Sequence, residues 1–238
     1  MADFPATRHS VIARMKSRDE DVRRTAYGDL VEGYWKALHQ YLRLQWRLSD
    51  DEAQELAQAF FSEAFQKEWL ARYDPGKARF RTFVRVCADR FVLNTRQAAD
   101  RLKRGGGAEM VPLDVPGAEE AIAALRLTTT PEAEACFHRE FVRALFERSL
   151  AEVRKEYIAA GRPVHLALFE RYDLDPAEGV SYSALAREFG LTAAQVTNYL
   201  VQIRRSFRLR ALDTLRLLCG SDEEFRREGR ELFGLEVE

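Results

Sequence analysis

Apolar residues recur every three or four positions along most of this chain, and helix-opening side chains stand directly in front of several of those runs. Ser49-Asp50-Asp51-Glu52 reads as a capping box, in which the serine hydroxyl accepts from the third helical amide while the glutamate reaches back. The stripe behind it is Ala53, Leu56, Ala57, Phe60, Phe61, Ala64, Phe65 and Trp69, the spacing of one buried helical face. Ser17-Arg18-Asp19-Glu20 reads as an earlier box, followed by Val22, Ala26, Leu30, Val31, Tyr34, Leu38, Tyr41 and Leu42. Losing such a cap typically costs ~1 kcal/mol. A third helix is expected from near Thr82 to about Arg104, with Val84, Ala88, Phe91, Val92 and Leu102 inward. No strand-like alternation persists for more than a few residues, so the sequence predicts an all-α fold.

Three consecutive glycines, Gly105-Gly106-Gly107, are costly in any regular element and break this pattern. The expected organisation is two small helical domains: 1–104, a linker over 105–131, a second domain over 132–218, and an acidic tail over 219–238. In the second domain helical spacing returns over Ala133–Tyr157 and Val164–Tyr172, with a loop expected over Asp173–Gly179. The tail carries an amphipathic pattern (Phe225, Leu232, Phe233) that fits a cover over a basic surface, a regulator-binding segment or a plain terminal helix.

The total charge of −1 conceals an uneven distribution. Between Pro75 and Arg104 stand nine basic residues against only Asp89 and Asp100, and between Leu191 and Leu212 stand Arg204, Arg205, Arg208 and Arg210 with no acid. Glu109–Glu140 and Asp213–Glu238 are net acidic. Two separated basic blocks are the arrangement expected of two surfaces that meet a polyanion. Cys87, Cys136 and Cys219 are far apart with no CxxC pair, which suits a reducing compartment. No apolar run approaches a membrane span and no signal-peptide core is present, so a cytoplasmic location is expected. GxxxxGK[ST], HExxH and GxSxG are all missing, and His9, His39, His138 and His165 are isolated. The reading is therefore a non-enzyme with no catalytic residues, metal or cofactor.

The sharpest local pattern begins at Ser181. A short helix with Ala184, Leu185 and Phe189 inward ends at Gly190, and Thr192 with Gln195 then forms a capping box for a second helix whose buried stripe is Val196, Leu200, Ile203 and Phe207. Two helices joined through a glycine turn make a helix-turn-helix, whose second helix enters the major groove. Its outward residues are Gln195, Thr197, Asn198, Val201 and Gln202. Amides can bond adenine bidentately and a valine can touch a thymine methyl, while Arg204, Arg205 and Arg208 suit phosphates. In the first basic block, Tyr73 to Phe80 reads as a loop with aromatics at both ends and cations inside, leading to Arg81, Phe83, Arg85 and Arg90. Interleaved rings and cations suit single-stranded nucleic acid, although Phe80 and Phe83 equally suit a core.

Together these segments resemble the extracytoplasmic-function sigma factors, the promoter-recognition subunits of bacterial RNA polymerase. That family reads roughly D-A-E-D-L-V-Q-E-x-F, then F-D-P, then F-x-T-W-L. Here stand Asp51-Glu52-Ala53-Gln54-Glu55-Leu56-Ala57-Gln58-Ala59-Phe60, then Tyr73-Asp74-Pro75, then Phe80-Arg81-Thr82-Phe83-Val84. Its second domain reads approximately L-S-Y-x-E-I-A-x-x-L-G-I-S-x-G-T-V-K-S-R-L, against Val180-Ser181-Tyr182 through Gly190-Leu191-Thr192 to Leu200 here. The likeness covers about residues 8–104 and 134–212. It implies that Glu52, Glu55, Gln58 and Glu63 dock on the β′ clamp coiled coil of core RNA polymerase, the partner whose β flap the family also meets. It implies that Lys77, Arg79, Arg81, Arg85, Arg90 and Asn94, with Phe80 and Phe83 shaping a pocket, read the melted −10 element. Thr192, Gln195, Thr197, Asn198, Val201, Arg204 and Arg205 would read the −35 element as duplex. Promoter DNA and an anti-sigma factor or other regulator are the further partners implied. The chain departs from the pattern at Gln54 and Ala59, at Asp89-Arg90, and at Thr197 and Tyr199, so the promoter sequence does not carry over. Two alternatives stand beside this: a stand-alone helix-turn-helix regulator, and a helical interaction module that does not bind DNA.

Overall fold

A computed structural model describes residues 10–103, 129–176 and 178–234. The described residues are all-α, with nine helices and no strand. These are α1 (Val11–Met15), α2 (Glu20–Trp46), α3 (Asp50–Gln66), α4 (Phe80–Lys103), α5 (Pro131–Ala159), α6 (Pro163–Phe169), α7 (Tyr182–Phe189), α8 (Ala193–Leu218) and α9 (Asp222–Phe233). A 3-10 turn occupies Trp69–Arg72 and one turn of π-helix Glu170–Leu174. No helix among the described residues is long and apolar enough to cross a membrane. The chain divides into two compact units, the first comprising Met1–Ala144 with Leu215–Glu238 and the second Leu145–Thr214. The segment expected as one domain over 132–218 is thus shared between them, and α9 belongs to the first. The triple glycine and most of the expected linker lie outside the described residues.

In the first unit the Ser49 box forms as the spacing predicts: Ser49 Oγ accepts from Glu52 N (3.3 Å) and Glu52 Oε2 accepts from Ser49 N (2.8 Å). The box expected at Ser17 does not. Asp19 is the N-cap of α2, accepting from Asp21 N (2.9 Å) and Val22 N (3.2 Å). Ser17 N closes the turn after α1 on Arg14 O, which leaves Ser17 one turn short of the helix, and a carboxylate suits the positive helix end better than a hydroxyl. Ala26, Leu30, Tyr34, Leu38, Tyr41 and Leu42 form the buried stripe of α2, but Val22 is exposed and Val31 only half-buried. Helix α3 ends at Gln66, earlier than the stripe suggests, because Glu68 takes a left-handed φ of 52°. Trp69 is consequently buried from the following turn, beside Phe60 and Phe91, while Phe65 is exposed and lies tilted against Tyr27 (4.9 Å, 55°).

Asp89 is buried beneath α2 and explains why an acid stands in the basic helix α4. Its carboxylate accepts from Tyr41 Oη (2.7 Å) and Trp46 Nε1 (2.8 Å). Burial pushes this carboxyl up to about 6, against the opposing pull of the two hydrogen bonds and of Arg85. A folded value above the unfolded one of about 3.9 means that Asp89 stabilises the fold fully at low pH and loses that contribution as pH rises through about 6. Relative to Asp89→Asn, the wild type is therefore expected to lose roughly 2–3 kcal/mol between pH 4 and pH 7 in urea unfolding. Parallel pH profiles for the two proteins would show that the carboxyl titrates normally.

The second unit has its own core of Val153, Tyr157, Leu166, Leu168, Phe169, Leu185, Ala186, Val196, Leu200 and Ile203. Phe207 and Phe189 pack against it half-buried, as their positions on the two predicted stripes require.

Candidate nucleic-acid interface

The helix-turn-helix is built by local chemistry. Ser181 Oγ caps α7 by accepting from Ala184 N (3.2 Å), and Gly190 ends it at φ 65°, a left-handed conformation that costs a side-chain-bearing residue. Thr192 Oγ1 accepts from Gln195 N (3.2 Å) and Gln195 Oε1 accepts from Thr192 N (2.8 Å), the reciprocal box expected at the start of α8. Burial of Val196, Leu200 and Ile203 fixes the rotation of α8 and leaves Thr192, Gln195, Thr197, Asn198, Gln202 and Arg205 exposed. Val201 is 57% exposed on the same face. Thr197 Oγ1 bonds back to Ala193 O (3.0 Å), while Gln195 is held by the cap.

Arg204 is placed differently from the expectation. Its guanidinium is forked on Asp173 (2.9 and 2.8 Å), reaches Tyr182 Oη (3.2 Å) and lies over the Tyr172 ring. The hydrogen bonds it donates to Asp173 raise its already high pKa. Arg204 is thus a bracket between α8 and the π turn, and Arg205 and Arg208 are the exposed cations of this face. His165, stacked on Tyr199 at 3.9 Å with the rings 19° apart, buttresses α8 from behind.

The loop from Tyr73 to Phe80 is held at both ends by aromatic packing. Phe80 is 0% exposed and meets Tyr34 edge-on (5.6 Å, 88°) and Tyr73 (5.0 Å, 74°); Phe83 is buried beside them. Both rings are core residues, so neither offers an open stacking face. Arg85 is buried too, paired with Glu134 (2.8 Å) and set over the rings of Tyr41 and Phe137. The expectation that it lies on the DNA face is corrected: the acid that meets it sits on α5, beyond the reach of a local reading. Arg90 and Asn94 are half-buried, Lys77 is exposed.

The remaining cations of the loop are met by α9. Arg79 forks on Glu231 (2.8 and 2.5 Å) and reaches Glu228 (3.0 Å). Arg81 faces Glu228 (3.2 Å) and donates to His138 Nδ1 (2.8 Å), whose pKa is lowered by burial and by this guanidinium. Glu224, buried, accepts from Phe80 N (2.7 Å) and Gly220 N (2.8 Å), with Tyr73 Oη beside it at 3.2 Å. A polar cleft of about 460 Å³ remains beside the loop, lined by Gly76, Lys77, Arg79 and Thr82 with Glu223 and Arg227 from α9. Glu224, Glu228 and Glu231 are spaced by four and three, which puts them on one helix face, and their place against the loop is the first of the three readings that the acidic tail leaves open.

On α3 the outward stripe carries Asp51, Glu55, Gln58 and Ser62, all exposed. Glu52 is exposed but spent in the Ser49 cap, and those hydrogen bonds lower its pKa. Glu63 is half-buried and pairs with Lys67. Of the four acidic and amide residues expected to dock a partner, Glu55 and Gln58 stand open. No group of three or more His, Cys, Asp or Glu side chains able to hold a metal ion occurs among the described residues.

No family model, curated protein or solved structure matches the chain. The site therefore rests on its own geometry.

Proposed function

We propose that this chain is a cytoplasmic transcription initiation factor of the extracytoplasmic-function sigma type. In this reading the first unit carries the polymerase-binding and −10 functions, and the second, Leu145–Thr214, the −35 function. The observation that carries it is the outward face of α8, where Gln195, Thr197, Asn198 and Val201 stand exposed beside Arg205 and Arg208. Base-reading side chains at the helix start, cations further along and no acid on that stretch suit a helix lying in the major groove. Glu55 and Gln58 on α3 supply the surface for core polymerase, and the loop at Lys77, Arg79 and Arg81 the contacts to a melted strand.

The test is run-off transcription with core RNA polymerase, which yields promoter-dependent transcripts only for an initiation factor. Within it, Asn198→Ala is expected to weaken duplex promoter binding roughly 5- to 100-fold through lost base contacts. Arg205→Ala is expected to weaken all sequences alike and to flatten the salt dependence by about one phosphate contact. Failure to bind core polymerase, with duplex binding intact, would move the chain to the second reading. That reading is a stand-alone helix-turn-helix regulator, and it is favoured by one observation: Arg79 and Arg81 are engaged by α9, which leaves the α8 face as the open cationic surface of those two.

A further inference from the structure

We propose that α9 is an intramolecular cover that occupies the nucleic-acid face of the Tyr73–Phe80 loop and must leave for a strand to bind. The inference rests on the proposed role of that loop, and concerns its control. Helix α9 presents to the loop what a nucleic-acid strand would present, anionic oxygens directed at guanidinium groups. Glu224, Glu228 and Glu231 lie on one stripe of the helix, and between them they take Arg79, Arg81 and the amide of Phe80. The side chains of Arg79 and Arg81 retain only 24% and 15% of their exposure. While these contacts stand, a phosphate must compete with the protein's own carboxylates, because both of Arg79's terminal nitrogens donate to them and Arg81 is shared among Glu228, Glu231 and His138.

The outer of these contacts, those of Glu231, are of the kind that a polyanion can displace. One aromatic side chain, Phe225, is fully seated, beneath the guanidinium of Arg216, while Leu232 and Phe233 are only half-buried. Of the acids on that face, Glu231 lies at the edge of solvent, while Glu224 and Glu228 are buried against the loop. Pairs at that edge weaken with salt and yield to a competing anion, whereas the buried ones part only when the helix lifts. A core helix would bury an apolar stripe instead.

The experiment uses the full-length chain and a fluorescein-labelled single-stranded oligonucleotide. Glutamine keeps the size and hydrogen-bonding capacity of glutamate but removes the charge, so Glu228→Gln with Glu231→Gln weakens the cover with little change in packing. Strand affinity is expected to rise roughly tenfold over wild type, and Arg79→Ala with Arg81→Ala in that background is expected to abolish the gain. Equal affinity of wild type and the glutamine variant, or no binding by either, overturns the cover. A second measurement needs no variant: hydrogen exchange of the wild type should show the α9 amides losing protection when the oligonucleotide saturates the protein. Retained protection in the bound protein likewise overturns the proposal. Run-off transcription separates the two inferences. Equal promoter-dependent transcription by wild type and variant refutes the cover while the initiation-factor reading stands. Tenfold tighter strand binding with no transcript from either protein leaves the cover standing and refutes initiation.

Discussion

Phe80→Ala is expected to lower the stability of the protein by about 4 kcal/mol, the range for truncating a fully buried phenylalanine. The ring has no exposed surface, and three aromatic neighbours, Tyr34, Tyr73 and Phe83, close round it. Its removal loses both the apolar transfer energy and the edge-to-face contacts, and leaves a cavity that the rigid neighbouring rings cannot fill. For a chain of this size the midpoint of thermal unfolding should drop by roughly 10 °C. Phe80→Leu, which fills most of the volume, should cost under about 2 kcal/mol. Urea and thermal unfolding of the two variants check this. The pair also decides between two roles of the ring. A core residue predicts that Phe80→Leu leaves strand binding unchanged, whereas a base-stacking platform predicts lost binding with little lost stability.

Glu224→Ala should release α9 from the loop. The side chain is the acceptor for two backbone amides, Phe80 N and Gly220 N; the Tyr73 hydroxyl lies beside it but keeps Ala78 O as acceptor at 2.6 Å. Left buried without partners, the two amides cost about 1–3 kcal/mol each, so the gross loss is on the order of 4 kcal/mol. The helix has an escape that a core element lacks, because undocking lets water replace the lost acceptor. The global loss therefore saturates at the docking free energy, and the remainder appears as local opening. Hydrogen exchange should show the amides of 222–233 exchanging as an unprotected segment while those of α2 and α3 keep their protection. Full protection of α9 in the variant would show that other contacts hold it. The turn itself is tightly set: a Cβ on Gly220 would fall 2.0 Å from Cε1 of the buried Tyr73 ring, so the α8–α9 turn presses directly on the loop's first aromatic.

Much of the helical architecture is legible in the sequence because helix signals are local. The caps at Ser49 and Thr192 bond groups three residues away, and the stripes of α2, α3 and α8 repeat within one or two turns. The misreadings are also local in origin. Trp69 continues the α3 spacing, yet a left-handed residue at Glu68 ends the helix before it; Ser17 resembles a cap, yet Asp19 is closer and charged. The candidate duplex-reading face was legible for the same reason, since burying Val196, Leu200 and Ile203 dictates which residues of α8 point outward.

Sequence alone determined the helices, their principal caps and the helix-turn-helix, all of which depend on contacts within a few residues. Only the tertiary structure decided which cations are available. Arg85 meets Glu134 49 residues downstream, and Arg79 meets Glu228 149 residues downstream. A guanidinium has the same charge whether it faces water, an acid or a phosphate, and nothing in its local sequence says which; only the packing that buries α9 against the loop assigns the partner.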